Sequence, residues 1–152
     1  MAMNTTKRRN PRISSSLHEA SQQTQGLALV EAALVLLLLI IVVLGAIEYG
    51  WLFGSIHVVQ NAAQIGAREA VLPDASSSSV QSAVDTVMTG SGYGASGYTI
   101  SVSPADIVGV PVGGLVTVTV TVPYSNIELL GLSIFPTPAQ LRGSVTMAKE
   151  GP

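Results

Sequence analysis

A single carboxylate interrupts the most apolar part of the chain. From Leu27 to Ile47 the sequence reads LALVEAALVLLLLIIVVLGAI, in which Glu31 is the only charged residue. A carboxylate inside hydrocarbon costs several kcal/mol unless it is paired, so acidic residues in such runs are candidates for function. The structural alternative is an interfacial glutamate at the edge of a signal anchor.

The spacing between Gly26 and Glu31 suggests what such a carboxylate does. Gly26 ends a polar leader that reads SSSLHEASQQTQG and lies five residues before Glu31. A cut after Gly26 makes Leu27 the first residue and Glu31 the fifth. The new α-amine and the carboxylate are then one helical turn apart and neutralise each other, within one chain or between neighbours, most strongly in a low dielectric.

The element that positions this pair is the apolar run itself. Its 21 residues form a helix about 31 Å long, close to the ~30 Å hydrocarbon core of a bilayer. Basic residues precede the run, and none lies between Leu27 and Ala67. The positive-inside rule therefore predicts a cytoplasmic N-terminus and an extracytoplasmic C-terminal part. The orienting basic residues are Lys7, Arg8, Arg9 and Arg12.

The helix is predicted to continue beyond the membrane. No proline occurs between Pro11 and Pro73, so the pattern predicts a helix from about Leu27 to Val71, roughly 65 Å long, of which about half protrudes. Gly50 and Gly54 form a G-x-x-x-G step that allows another helix to approach closely. In the protruding half a polar stripe is expected at His57, Asn61, Gln64 and Arg68.

The remainder of the chain predicts a small mixed domain. A serine-capped helix is expected after the polar linker, with an apolar face formed by Val80, Ala83, Val84, Val87 and Met88. Three strands are expected at residues 98–103, 115–122 and 140–149, of which the second alternates strictly as LVTVTVTV. Three strands need a partner to bury their apolar face. The predicted fold is therefore α+β, with the outer half of the long N-terminal helix packed on a small antiparallel sheet.

The same residues resemble a known family. A basic leader ending in Gly26, followed by an apolar helix with Glu31 at the fifth mature position, is similar to a type IV prepilin signal. The longer stretches QGLALVEAALVLLLLIIVVLGAIEYG and VVQNAAQIGAREAV resemble the TadE-like pseudopilins of the Flp, or tight-adherence, pilus system. The strands VTVTVTVPYSNIELLGLS and GSVTMAKE resemble the end of such chains.

The resemblance implies a pilin-like fold, a cleavage and a set of partners. A membrane prepilin peptidase would cut between Gly26 and Leu27, and Glu31 would serve assembly. The expected domains are a leader at 1–26, a transmembrane and protruding helix at 27–72, and an extracytoplasmic domain at 73–152. The expected function is that of a minor pseudopilin in the inner membrane, with other pilins or pseudopilins and the pilus assembly platform as partners.

Composition restricts the other functional classes. Of 152 residues, 47% are hydrophobic and only 11% charged, against about 25% charged in soluble domains. The chain has no cysteine, and its net charge of -2 does not indicate a nucleic-acid partner. We find no catalytic motif and no metal-ligand cluster in the sequence, so an enzyme, a cofactor and a metal are not expected.

Three alternatives remain open from the sequence. The first is an unprocessed single-pass protein whose extracytoplasmic domain is a binding module. The second is a secreted protein released by cleavage near Gly54. The third is a soluble protein in which the apolar run is a buried core helix.

Overall fold

The computed structural model describes residues 11–131 and 135–151, with side chains from residue 26 onward. It confirms the predicted α+β class, a long N-terminal helix followed by a small antiparallel sheet. A short 3-10 turn follows the second strand. In chain order the elements are α1 (Pro11–Ala70), α2 (Ser77–Gly90), β1 (Thr99–Ser103), β2 (Leu115–Pro123), the turn (Tyr124–Asn126) and β3 (Gln140–Ala148).

Helix α1 begins earlier than predicted. It starts at Pro11 rather than near Leu27 and therefore passes through Gly26 without a break. Proline is favoured at the first helical position because its missing N–H has no helical partner there. The helix ends at Ala70, three residues before Pro73. Contacts divide the chain into two compact units, the first ending at Leu44 and the second beginning at Gly45.

The sheet has the strand order β1-β2-β3, and both pairs are antiparallel. The strict alternation of β2 places four valines in the core and its threonines on the opposite face, as predicted. Two hydroxyl pairs join β2 to β3 on that second face, Thr117 with Thr146 at 2.7 Å and Thr119 with Ser144 at 2.9 Å. The four core valines are Val116, Val118, Val120 and Val122.

The outer half of α1 supplies the partner that the sheet needs. Val59, Ala62 and Ala63 are buried in the core that they share with β2 and β3. Two glycines make the close approach possible. A Cβ on Gly143 of β3 would lie 2.6 Å from the carbonyl oxygen of Val59, and one on Gly66 would lie 3.2 Å from a methyl group of Val118 in β2 and 2.7 Å from one of Val84 in α2.

Helix α2 is capped as the serine-rich linker predicts. Ser76 is the N-cap, and its hydroxyl accepts a hydrogen bond from the Ser79 backbone N–H while the Ser79 hydroxyl accepts one from the Ser76 N–H. This reciprocal pair satisfies donors that the first helical turn leaves unpaired. The apolar face buries Val80, Val84 and Met88.

The end of β3 holds the end of α1. The Lys149 ammonium is buried and donates to the carbonyl oxygen of Leu72 at 2.7 Å, while the Glu150 N–H donates to that of Val71 at 2.9 Å. A cation beside the C-terminal end of a helix is electrostatically favourable. The free carbonyl groups just beyond α1 therefore receive their donors from the opposite end of the sequence.

Candidate functional site

The segment around Glu31 is a helical surface without cover. Gly26, Leu27 and Glu31 are all exposed, and no atom of the described part of the chain lies within 4 Å of the position a Cβ would take on Gly26. Leu27, Val30, Glu31 and Leu34 line one shallow hollow together with Gly26. Leu27 and Glu31 therefore share a face of α1, as residues four apart in a helix do.

This geometry defines what a cut after Gly26 creates. After such a cut, the α-amine of Leu27 would lie one helical turn from the Glu31 carboxylate, separated along the axis by about 6 Å. The apolar side chains around the pair exclude water once the helix is in lipid or against a neighbour. An amine and a carboxylate in such surroundings attract each other far more strongly than in water.

Beyond Leu44, one face of α1 is buried and the other is open. Leu52, Ser55 and Val59 are buried on the face toward the sheet. Gly50 and Gly54 are exposed, and among the described residues no atom lies within 4 Å of the position a Cβ would take on either. The G-x-x-x-G step is thus open to a second helix. The predicted polar stripe is exposed along its length, at His57, Asn61, Gln64 and Arg68.

The basic residues that are predicted to set the orientation in the membrane lie at or before the N-terminal limit of the described residues. Lys7, Arg8 and Arg9 lie outside the described residues, and Arg12 lies in α1 with its side chain outside them. Within the part of the chain that the structure describes, one helix is long and apolar enough to cross a membrane. The most apolar window of this helix is not buried, which disfavours a soluble core helix.

The structure adds a buried carboxylate that was not predicted from the sequence. Glu48 directly follows the apolar run and is 3% exposed. Its Oε1 accepts the Tyr124 hydroxyl hydrogen at 2.6 Å, and its Oε2 accepts the Leu130 backbone N–H at 3.0 Å. Burial, and then the hydrogen bond to Glu48, raise the pKa of the Tyr124 phenol.

Aromatic residues on the next helical turn reinforce this contact. The Trp51 indole N–H donates to the Ile127 carbonyl oxygen at 2.6 Å, and its ring stacks on Tyr93 with centroids 6.2 Å apart. Tyr49 meets Phe135 edge-on at 6.3 Å. The segment after β2 is thus fixed to the turn of α1 that follows the apolar run.

A groove between α2 and β1 contains a second interaction that was not predicted from the sequence. The Tyr98 hydroxyl donates to the Asp85 carboxylate at 2.6 Å. Burial and this hydrogen bond raise the pKa of Tyr98 to about 12. No cluster of three potential metal-ligating side chains occurs among the residues that the structure describes.

Removing the Glu48 carboxylate is expected to destabilise the compact unit that begins at Gly45, called the outer domain below. In Glu48→Ala the buried Tyr124 hydroxyl and the half-buried Leu130 N–H lose their acceptor. An unpaired buried group costs about 1–3 kcal/mol. We expect the free energy of unfolding to fall by at least about 2 kcal/mol. Chemical unfolding of the full chain in detergent, followed by the fluorescence of Trp51, the single tryptophan, measures this change.

The matched control is Glu128→Ala, which removes an exposed carboxylate from the same part of the fold. We expect its effect to stay within about 0.5 kcal/mol. Equal unfolding midpoints for the two variants would contradict the role given to Glu48.

Comparison with known proteins identifies the segment that contains these features. Residues 26–68 match the family model described as TadE-like protein. The match begins at Gly26, includes Glu31, Glu48 and the G-x-x-x-G step, and ends at Arg68. No curated protein and no solved structure is significantly similar to the chain.

Proposed function

We propose that this chain, which is TadE-like over residues 26–68, is a minor pseudopilin of a Flp or tight-adherence pilus system. TadE-like proteins are a structural, pilus-associated family. In this role the chain is a membrane-anchored subunit or initiator of pilus assembly. Its partners are a prepilin peptidase, other pilins or pseudopilins, and the assembly platform.

The observation that carries the proposal is the exposed Leu27–Glu31 pair. A carboxylate on an exposed apolar helix does not stabilise an isolated chain, because placing its charge in lipid costs free energy. A new N-terminus at Leu27 gives it a partner one turn away. The same pairing between neighbouring chains would set the register in which they assemble.

The proposed location is the inner membrane. Residues 27–47 span the bilayer, the leader with Lys7, Arg8, Arg9 and Arg12 stays in the cytoplasm, and the domain after Pro73 is extracytoplasmic. Cleavage removes the basic leader. The side chains that remain, three basic and eight acidic, carry a net charge of -5. The mature protein would stay in this membrane until it joins a pilus.

Replacing Gly26 is expected to block processing. A Gly26→Leu chain places a large side chain at the proposed cut, where the resemblance to a prepilin signal assigns recognition by the peptidase to glycine. We expect this variant to accumulate at full length when it is expressed with its native pilus machinery. Intact-mass analysis of the membrane fraction distinguishes the two forms.

The matched control is Gly50→Ala, which adds a side chain at another glycine of α1 with open surroundings. We expect it to be cut normally. A mature N-terminus on the Gly26→Leu chain would exclude cleavage at this position.

A further inference from the structure

We infer that the outer domain makes a second membrane contact, through a foot formed by residues 127–131 that lies on the lipid surface. The inference goes beyond the proposed function: it requires that α1 crosses a bilayer and is independent of cleavage and of pilus assembly. Its basis is the placement of exposed apolar side chains at one turn of α1.

The foot is held rigidly at the helix turn after the apolar run. Glu48 accepts the Leu130 N–H at 3.0 Å, and Trp51 donates to the Ile127 carbonyl oxygen at 2.6 Å. Trp51 lies four residues beyond Ile47, the last residue of the apolar run, which is about 6 Å along the helix axis. The foot is therefore fixed at the level where the chain leaves hydrocarbon.

The side chains that are exposed at this level suit a bilayer interface. Leu129, in the foot, is 48% exposed, and Trp51 is 39% exposed. Ile127, in contrast, points inward and is buried. Tryptophan is enriched at membrane interfaces because it combines an apolar ring with a polar N–H, and here the Ile127 carbonyl already satisfies the N–H.

The charges of the foot and of the nearby part of α1 indicate which type of lipid headgroup the foot can contact. The foot carries one charged residue, the acidic Glu128, and α1 has no lysine or arginine between Gly45 and Ala67. Attraction to anionic headgroups needs lysine or arginine near the surface. Insertion of Leu129 must therefore rest on apolar burial, so a zwitterionic phosphatidylcholine bilayer is sufficient.

The other end of the sheet provides an internal comparison. The loop between β1 and β2 exposes Val108, which is 77% exposed. This loop enters β2 at Leu115, whereas the foot follows the opposite end of β2 at Pro123. Exposed aliphatic side chains therefore occur at both ends of β2. We expect lipid contact only at the end beside Glu48.

Spin-label accessibility tests the contact. The chain has no cysteine, so Leu129→Cys and Val108→Cys each provide one labelling site on the full-length, uncut protein in phosphatidylcholine nanodiscs. Relaxation by oxygen reports lipid contact, and relaxation by a water-soluble nickel complex reports water contact. We expect nickel accessibility several-fold lower at position 129 than at 108, with oxygen accessibility retained.

Two results of the spin-label experiment overturn the inference. Equal nickel accessibility at the two positions places the foot in water. Protection of position 129 from both reagents shows that protein covers it, as in contact with a second copy. The unmodified chain gives an independent test, since Trp51 must be quenched by lipids brominated near the headgroup; quenching by aqueous iodide alone contradicts the inference even if the labelled variants misfold.

Discussion

A chain carrying Gly143→Ala is expected to lose its folded outer domain. The added Cβ would lie 2.6 Å from the Val59 carbonyl oxygen and 3.0 Å from the Cα of Gln60. Both are backbone atoms of α1, so no side chain can rotate away and the helix must move off the sheet. We expect a loss of at least about 3 kcal/mol, a large fraction of the stability of a small domain. Thermal unfolding by circular dichroism measures it.

Gly90→Ala is the control for this substitution, because nothing lies within 4 Å of the new Cβ there. Its effect should stay within about 1 kcal/mol, the difference in helix propensity between the two residues. A Gly143→Ala chain that unfolds at the midpoint of the parent would show that α1 and β3 are not in the contact described.

The second large effect is expected at Glu31. A Glu31→Ala chain should still be cut after Gly26 but should fail to enter filaments, because the new α-amine of Leu27 loses its carboxylate partner. We expect the amount of chain in sheared filaments to fall by at least about tenfold, since each ~1.4 kcal/mol of association free energy is a factor of ten. Immunoblots of sheared and membrane fractions measure the two populations.

Glu150→Ala is the matched control, because it removes an exposed acid that contributes only its backbone N–H to the fold. It should enter filaments as the parent chain does. Normal incorporation of the Glu31→Ala chain would remove the assembly role from this carboxylate, whether or not cleavage occurs.

Local pattern was sufficient to predict the secondary structure. The alternation of LVTVTVTV fixed β2 and its buried valine face, because a strand places successive side chains on opposite sides. The serines before Val80 located the N-terminus of α2, because their hydroxyl groups satisfy free helical N–H groups. Only the start of α1 differed substantially, where Pro11 begins the helix ahead of the polar residues that precede Gly26.

The contacts that fix the outer domain were not predictable in the same way. Glu48 and Tyr124 are 76 positions apart, and no periodicity relates residues across such a separation. One signal was nevertheless present, since Glu48 precedes Leu52, Ser55 and Val59 at helical spacing and so lies on the buried face. Lys149 gave no comparable signal, because its carbonyl partners are main-chain atoms.

The N-terminal residue of the chain extracted from its native membrane tests the central claim most directly. The account predicts Leu27, because a processed pseudopilin begins at the residue after Gly26 and thereby acquires the amine that pairs with Glu31. A chain that begins at Met1 or Ala2 in cells that assemble the pilus would contradict the account and identify the protein as an unprocessed membrane anchor.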